Sequence, residues 1–331
     1  MTRAGSHLSL LYPGRMPPTA HRHKAPALHT LFARAKPSTC AVDRNHVLFE
    51  LFAAESSRLS GLPIAAVTHA FDSANPAAAH ASWWLRADPV VLRPDGDRLL
   101  MLGNHALDLG TEEAAALGTA LHELFSAYGM AFSAPQPKRW YLQLESDPGL
   151  TLTGLEDAVA HDILHHLPQA GDAQTAARWR RLLNEVQMQL HASPVNQARL
   201  ARGELPVNSV WFWGGGSAPA VAPHRFQQVW SEEPVSLGLA CLSGAAYATV
   251  PENTTDWLHH VTQPGHRLLS PSFPAASASD DCAELFSNTW CAPLLGAVNS
   301  GALATLDIYT EDGRIFRNTP QTLRRWYDRF I

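Results

Sequence analysis

Residues 206–216 read PVNSVWFWGGG, so two tryptophans and a phenylalanine stand directly before three glycines. Flat aromatic side chains pack well on a pleated sheet, which predicts a β-strand over residues 209–213. Glycine lacks a Cβ and readily adopts positive φ, so Gly214 to Gly216 predict a sharp turn or the close approach of a ligand or a second backbone. A strand followed by a glycine turn is typical of a site at the carboxyl end of a sheet. A buried strand followed by a purely structural turn explains the same residues.

Side-chain alternation along this strand predicts where its aromatic residues point. We expect Trp211 and Trp213 to share one face of the sheet and Phe212 to lie on the other. The strand is expected to be central or nearly central, with the glycines at its carboxyl end.

The composition is that of an ordinary globular protein. The 331 residues are 46% hydrophobic and 17% charged, enough to bury a full core in one large domain or two of ordinary size. A formal net charge of −5 gives no reason to expect nucleic acid or an anionic membrane as a partner. The sequence has no apolar run near the roughly 20 residues that span a bilayer. The four cysteines form no CxxC pair and are typical of reduced thiols, so a cytoplasmic location is expected.

Strands and helices alternate along the chain, which predicts an α/β or α+β fold. The first strand is expected at 7–11, and the clearest amphipathic helix at Ala173–His191, with Trp179, Leu183, Val186 and Leu190 buried. Thr111 is expected to cap a helix. Further strands are predicted at 85–92, 98–102, 140–144, 303–309 and 314–317. Residues 272–282 are expected to form a loop, and 322–330 (TLRRWYDRF) a helix.

Polar clusters in the sequence do not by themselves define a site. The segment AHDILHHLP, residues 160–168, holds the densest group of histidines. A two-metal centre needs several converging carboxylates and imidazoles, so capping or packing fits His161 and Asp162 better. Three polar residues lie among turn formers: Asn196, Arg199 and Asn208. They can hydrogen-bond loops together or bind an anion, and the sequence leaves both possibilities open. Walker, GxSxG, HExxH and GxGxxG motifs are absent.

Several motifs occur in a fixed order across roughly residues 80–250. They are RADPV from Arg86, EEA from Glu112, RWYL from Arg139, HDI from His161, SPVN ending at Asn196, then Arg199, Gly203, PVN ending at Asn208, and WFWGGG from Trp211. This order resembles the middle of the archaeal-type cofactor-independent phosphoglycerate mutases. The whole chain also resembles the bacterial RpfE-type regulatory proteins.

The resemblance implies an α/β fold: an alkaline-phosphatase-like core sheet with helices on both faces and an inserted α+β lobe. The division implied for this chain is 1–80 for the first part of the core, 81–165 for the lobe, and 166–331 for the remainder of the core.

The chain departs from the mutases where their metals bind. Their first strand ends in Asp-Gly, whose carboxylate binds metal, whereas this strand ends in Leu11-Tyr12-Pro13-Gly14. A serine in the context of their nucleophile is absent, and Asp280 and Asp281 lack the accompanying histidine spacing. Without two metals the phosphoryl oxygens lack a clamp and the nucleophile is not activated. We therefore expect no metal, no cofactor and no catalytic residue.

Two arginines could bind an anion without a metal. Arg86 and Arg139 resemble positions that hold the substrate's anionic groups in the mutases, and a guanidinium binds phosphate or carboxylate without a metal. The candidate anion-binding residues are Arg86, Arg139, Asn196, Arg199, Asn208, Gly214, His161 and Asp162.

Three functions remain open at this point. The preferred hypothesis is a non-catalytic regulatory or binding protein that takes a small phosphorylated or carboxylate ligand, or a protein partner. The second is an active cofactor-independent phosphoglycerate mutase, or a related metal-dependent phosphatase, whose ligands do not align. The third is a structural component of a complex, with the aromatics of residues 326–330 (WYDRF) as the contact.

Overall fold

The computed structural model describes residues 5–13, 25–54, 61–261, 263–271 and 280–324. Its strands are β1 (Ser6–Leu11), β2 (Lys36–Thr39), β3 (Trp83–Val90), β4 (Leu92–Asp95), β5 (Arg98–Met101), β6 (Ala131–Gln136), β7 (Arg139–Leu144), β8 (Leu150–Thr151), β9 (Gln169–Ala170), β10 (Ser209–Gly216), β11 (Gln228–Ser231), β12 (Ala246–Ala248), β13 (Gly265–Ser270), β14 (Thr305–Thr310) and β15 (Arg314–Asn318).

Its helices are α1 (Pro26–Arg34), α2 (Arg44–Leu51), α3 (Ile64–Asp72), α4 (Pro76–Ala81), α5 (Thr111–Ala127), α6 (Leu155–Ala158), α7 (Ala173–His191), α8 (Pro194–Ala201), α9 (Pro234–Ser243), α10 (Thr254–His260), α11 (Asp280–Phe286), α12 (Ala292–Asn299) and α13 (Pro320–Arg324). A 3₁₀ turn covers Ile163–His165, and a π turn covers Ser287–Cys291 between α11 and α12. Among the described residues, no helix is both long enough and apolar enough to cross a bilayer.

Internal contacts divide the chain into two compact units. The first comprises Met1–Glu55 and Ala220–Ile331, and the second comprises Ser56–Pro219, so the second is inserted into the first. The inserted unit begins before, and ends after, the lobe that the sequence suggested at 81–165. It extends further because α3 packs against β3 and β10, and α7 packs against β10.

The first unit is built on a seven-stranded mixed sheet in the order β12-β11-β13-β1-β14-β15-β2. As predicted, β1 is a strand, and it lies between β13 and β14 and runs parallel to both. The hairpin of β14 and β15 is antiparallel, as the turn at residues 311–313 indicated. The carboxyl ends of five parallel strands therefore share one edge of this sheet.

Helices cover the sheet of the first unit because both of its faces are apolar. Leu8 and Leu10 belong to a core cluster with residues of α1, α10 and α12. Leu11 and Leu268 are also fully buried but lie outside that cluster, as side-chain alternation requires for the opposite face. α9 contacts β11 and packs against α2, and its buried Leu239 is likewise outside the cluster.

The second unit has a four-stranded antiparallel sheet in the order β10-β3-β7-β6. The strand expected from WFW is present as β10, but it is an edge strand of this sheet, so the expected central position was wrong. Its register shifts between Trp213 and Gly216, and such a bulge is a common way to limit pairing at an exposed edge.

The two faces of β10 are those that alternation predicted. Phe212 packs in a cluster with α5 and α7, and its ring lies 5.1 Å from that of Trp179, edge to face. Trp211 and Trp213 instead pack against a cluster that includes Val90 and Ile163.

Some of the predicted helices and caps agree with the structure and others do not. α7 has the bounds that the periodicity indicated, and Trp179, Leu183, Val186 and Leu190 are buried. Thr111 is the first residue of α5, but Gly110 occupies the cap position without a side-chain hydrogen bond, so the expected cap was wrong. Most of the loop expected at 272–282 lies outside the described residues, although α11 already begins at Asp280; of the closing helix, the part after Arg324 also lies outside them.

Candidate anion-binding site

Arg86 lies on β3 between two aromatic residues of the neighbouring strands. The register places it opposite Tyr141 of β7 on one side and opposite Trp213 of β10 on the other. Its guanidinium carbon lies 5.2 Å from the Tyr141 ring centroid and 5.1 Å from that of Trp213. Rings at this separation attract a guanidinium, so the strand pairing itself forms a cage around Arg86.

The hydrogen bonds of Arg86 are made inside the protein. Nε donates to Asp88 Oδ1 at 2.9 Å, Nη2 donates to Asp88 Oδ2 at 2.7 Å, and Nη1 donates to Thr68 Oγ1 at 3.2 Å. Arg86 is 4% exposed. A ligand anion would have to displace Asp88 from this guanidinium.

Asp88 accepts from three different residues. Besides Arg86, the backbone N–H of Trp140 donates to its Oδ1 at 3.2 Å and the indole N–H of Trp213 donates to its Oδ2 at 2.8 Å. Full burial raises the pKa of this carboxyl, while the charge of Arg86 and the N–H donors oppose that rise. The hydrogen-bond set matches a carboxylate, which needs donors on both oxygens.

Arg139 is the second arginine of the network and is paired with Asp72, at the end of α3. Nε donates to Asp72 Oδ2 at 2.7 Å and Nη2 to Oδ1 at 2.6 Å. The Tyr141 hydroxyl donates to the same carboxylate at 2.5 Å, and burial raises the Tyr141 pKa. The Asp72 side chain is fully buried, whereas that of Arg139 is 25% exposed. Arg139 is therefore the arginine of this network that solvent reaches more easily.

His69 completes the buried network beside Asp72. Its ring stacks on Trp84 at 3.6 Å between centroids and lies edge-on to Tyr141 at 5.1 Å. Burial lowers the His69 pKa to about 4, although the nearby Asp72 opposes the shift. The imidazole is therefore neutral at neutral pH.

Asn196 and Arg199 lie on α8 and hold backbone segments together. Asn196 donates to the carbonyls of Leu190 at 2.8 Å and Val207 at 2.6 Å, and accepts from the Val207 N–H at 2.9 Å. Arg199 is 1% exposed, donates to two backbone carbonyls and pairs with Glu113. Both residues therefore bridge backbone segments, which is one of the two roles that the sequence left open for them.

The remaining candidates are also engaged in local structure. Asn208 pairs with Leu92 through two hydrogen bonds of 2.7 Å, donating to its carbonyl and accepting from its N–H. Gly214 has φ of 64°, and a Cβ there would lie 3.0 Å from the Cβ of Ile64, so glycine is needed for close packing on α3. Asp162 caps the 3₁₀ turn through the Leu164 N–H, and His161 is exposed beside it.

The eight candidates thus do not form one site. Arg86 and Arg139 belong to one network, while Asn196 with Arg199, Asn208, and His161 with Asp162 lie in other hydrogen-bond groups. Sequence reasoning missed Asp72, which is the only carboxylate of the mostly apolar helix IAAVTHAFD. This carboxylate was the available signal, because a carboxylate on a mostly buried helix needs a partner.

The carboxyl edge of the first unit's sheet is where the resemblance to the mutases implies metal. β1 is followed there by Tyr12, whose ring packs 5.5 Å from Phe286 and 6.0 Å from Phe32. Burial, with a smaller contribution from Cys291, raises the Tyr12 pKa to about 12, so the phenol stays protonated. A neutral buried phenol does not replace a metal-binding carboxylate.

A protein cation already lies at this edge. Arg44 Nη2 donates to Ser270 Oγ at 2.8 Å and to the Pro271 carbonyl at 2.9 Å, and Nη1 lies 3.6 Å from Glu311 Oε1. The residues after β13 and β14 thus surround a guanidinium. In the described part of the chain, no three His, Cys, Asp or Glu residues are grouped so that they could hold a metal ion. These residues do not fit a two-metal centre.

Comparison with known proteins gives short sequence matches and a longer structural one. No family model matches the chain. It is 38% identical over 74 residues to a probable 2,3-bisphosphoglycerate-independent phosphoglycerate mutase of Geobacter sulfurreducens, a match covering 22% of this chain and 18% of the relative. Over 44 residues it is 43% identical to the enzyme of that name from Methanosarcina barkeri, covering 13% of this chain and 11% of the relative. The matches therefore span less than a fifth of these relatives.

Among solved structures, the chain is similar to the PH0037 protein from Pyrococcus horikoshii, with a TM-score of 0.58, 10% identity, and coverage of 96% of this chain and 88% of that one. The cofactor-independent phosphoglycerate mutase from Thermoplasma acidophilum aligns over 96% of this chain and 90% of that one at 13% identity, with a TM-score of 0.48. The PH0037 likeness supports the α/β fold.

Proposed function

We propose that this protein is a phosphoglycerate-mutase-like protein that binds a ligand or partner without catalysing phosphoryl transfer, in a regulatory role like that of the RpfE-type proteins it resembles. The observation that carries the proposal is Arg44 at the carboxyl edge of the first unit's sheet. Its guanidinium lies between Pro271 and Glu311, at the ends of strands where α/β proteins bind ligands.

The physical argument is electrostatic. Two divalent cations need several converging carboxylates that are not already paired with a cation of the protein. Glu311, beside Arg44, has its charge balanced by that guanidinium at 3.6 Å. Tyr12 stands where the mutases have a carboxylate, and it remains neutral at physiological pH. A metal-activated nucleophile has no support from these residues.

Arg139 is the anion contact in this proposal, and Arg86 is not. Both are paired with an aspartate, but Arg139 is a quarter exposed and its Nη1 has no hydrogen bond to a described residue. Arg86 uses all three of its guanidinium nitrogens internally. A phosphate or carboxylate ligand can therefore approach Arg139 while its pair with Asp72 persists.

The test combines metal analysis with a mutase assay on the full chain. We expect no stoichiometric metal after expression with added manganese, and no conversion of 3-phosphoglycerate with manganese present. A chelator should leave the midpoint of thermal unfolding unchanged, because no metal is bound. If a metal were bound at a thousand times its Kd, its removal would lower the free energy of unfolding by about 4 kcal/mol, which the melt would detect. An authentic cofactor-independent mutase assayed in parallel controls for the assay.

An active phosphoglycerate mutase or related phosphatase is the second candidate, and the local identity of 38% to the Geobacter protein favours it. Stoichiometric manganese together with turnover that a chelator abolishes would establish this candidate and overturn the first. A protein partner contacting residues 326–330 is a further possibility, and those residues lie outside the described part of the chain. Co-purification of a defined protein, lost when they are deleted, would support it.

A further inference from the structure

A pocket of about 370 Å³ opens at the carboxyl ends of β11, β12 and β13 in the first unit. Glu232 directly follows β11, Glu252 follows β12, and Pro271 directly follows β13. The crevice outside the carboxyl ends of parallel strands is the usual ligand position in open α/β sheets. The volume is within the range of small-molecule sites.

One wall of the pocket is aromatic. The rings of Phe286 and Trp290 are nearly parallel, at 24°, with centroids 6.5 Å apart. Leu285 beside them is 63% exposed, and Val250 also lines the pocket. An apolar ligand body can therefore lie on a surface that is already formed.

The helix that supplies this wall is irregular at the pocket. Residues Ser287–Cys291 form a π turn between α11 and α12, and the Trp290 carbonyl accepts a hydrogen bond from Thr254 Oγ1 at 2.9 Å. π turns are rare and are frequently found at functional sites. The irregularity is thus located at the residues that line the cavity.

The polar part of the pocket is acidic. Glu232 and Glu252 line it, and neither forms an ion pair with any described residue. Neighbouring Glu233, by contrast, caps α9 by accepting from the N–H groups of Val235 and Ser236. Arg44 reaches the Pro271 carbonyl, but Glu311 balances its charge at 3.6 Å. The two unpaired carboxylates favour a cationic ligand.

We propose that this pocket binds a small organic cation with an apolar body, an alkyl- or arylammonium compound. The ammonium group faces Glu232 and Glu252, and the apolar body lies against exposed Leu285 and the small accessible parts of Phe286 and Trp290, which are 2% and 5% exposed. The proposal uses residues of the first unit alone and does not depend on the anion-binding proposal for Arg139.

The test is calorimetry on the full chain with benzylammonium and, as the uncharged comparison, benzyl alcohol. We expect the cation to bind and the alcohol to bind at least tenfold more weakly. Glu232→Gln and Glu252→Gln should each weaken binding of the cation by roughly tenfold, the value of one charge-assisted contact. Glu284→Gln is the matched control, because Glu284 is an exposed glutamate of α11 that does not line the pocket.

The variants replace exposed side chains, so we expect them to remain folded. A thermal melt of each variant verifies this. Equal affinity for the cation and the alcohol would overturn the proposal, as would wild-type affinity in both pocket variants. Absence of heat with both probes at millimolar concentration would overturn it as well.

Discussion

Arg86 and Asp88 stand two residues apart on one strand, so their side chains lie on the same face and join through two hydrogen bonds of 2.9 and 2.7 Å. Asp88 is fully buried and Arg86 nearly so. The arginine that resembles a substrate-binding residue therefore neutralises a carboxylate of its own strand. This relationship makes Arg86 primarily a stability residue.

Arg86→Ala should destabilise the protein by about 3–5 kcal/mol, because it leaves the charge of Asp88 buried without its partner. Urea unfolding measures this loss. Arg93→Ala, at an exposed arginine of β4, is the control and should change stability by less than about 0.5 kcal/mol. In the double variant with Asp88→Ala the loss should fall below the sum of the single losses. Similar stabilities for the Arg86 and Arg93 variants would contradict the buried pair.

Arg139→Lys tests the anion contact while leaving Asp72 a cationic partner, because lysine retains the positive charge. Lysine lacks the two-pronged geometry of the guanidinium. We expect binding of inorganic phosphate and 3-phosphoglycerate to weaken about tenfold or more, as for loss of a hydrogen bond to a charged group. Calorimetry with chelator present measures the affinities, and Arg93→Lys is the control. If the wild type produces no heat with either anion, Arg139 has only a structural role.

Trp179→Ala should cost about 3–5 kcal/mol, because the indole is 3% exposed and packs edge-on against Phe212. Thermal and urea unfolding measure this change. Met188→Ala on the same helix is the control, since Met188 is 72% exposed and should be nearly neutral. An unchanged melting temperature for the Trp179 variant would be incompatible with its buried position.

Stability should decline as the pH falls from about 6.5 towards 4. The His69 pKa is lowered to about 4 in the folded protein, against about 6.5 in the unfolded chain, so the unfolded chain binds a proton first in this window. The contribution of His69 is fully present above pH 6.5 and amounts to about 3 kcal/mol at most.

His69→Phe, which keeps an aromatic ring on Trp84, should flatten this pH dependence, and urea unfolding at a series of pH values measures it. His266 also has its pKa lowered to about 4, mainly by burial, so part of the slope should remain in that variant. His122→Gln, at an exposed histidine, is the control. An identical slope in wild type and His69→Phe would mean that His69 titrates normally in the folded state.

Tyr12→Asp introduces a carboxylate where the resemblance to the mutases implies one, yet it should not create a metal site. The substitution removes a ring packed on Phe32 and Phe286 and inserts a charge among them, so a loss of roughly 3 kcal/mol or more is expected. Manganese titration of the folded Tyr12→Asp variant should show no binding. Tyr12→Phe is the control for stability and should unfold at nearly the wild-type urea concentration. Tight manganese binding by Tyr12→Asp would show that the rest of a metal site is intact.

Local patterns were enough to predict the elements that depend on them. The spacing of Trp179, Leu183, Val186 and Leu190 predicted both the bounds of α7 and its buried face, because a helix repeats every 3.6 residues whatever it packs against. Alternation likewise predicted the opposite faces of Trp211 and Phe212. These features follow from backbone geometry and hydrophobicity within a single segment.

Only the tertiary structure decided where those elements lie and which charges meet. β10 is an edge strand because its pairing with β3 is determined by partners far away in the chain, and its own residues do not specify them. Arg139 meets Asp72 across 67 residues, and two other strands contribute the rings that flank Arg86. A guanidinium binds an internal carboxylate or an external anion by the same hydrogen bonds, so the sequence determined that these arginines need an anionic partner, and folding determined that aspartates supply it.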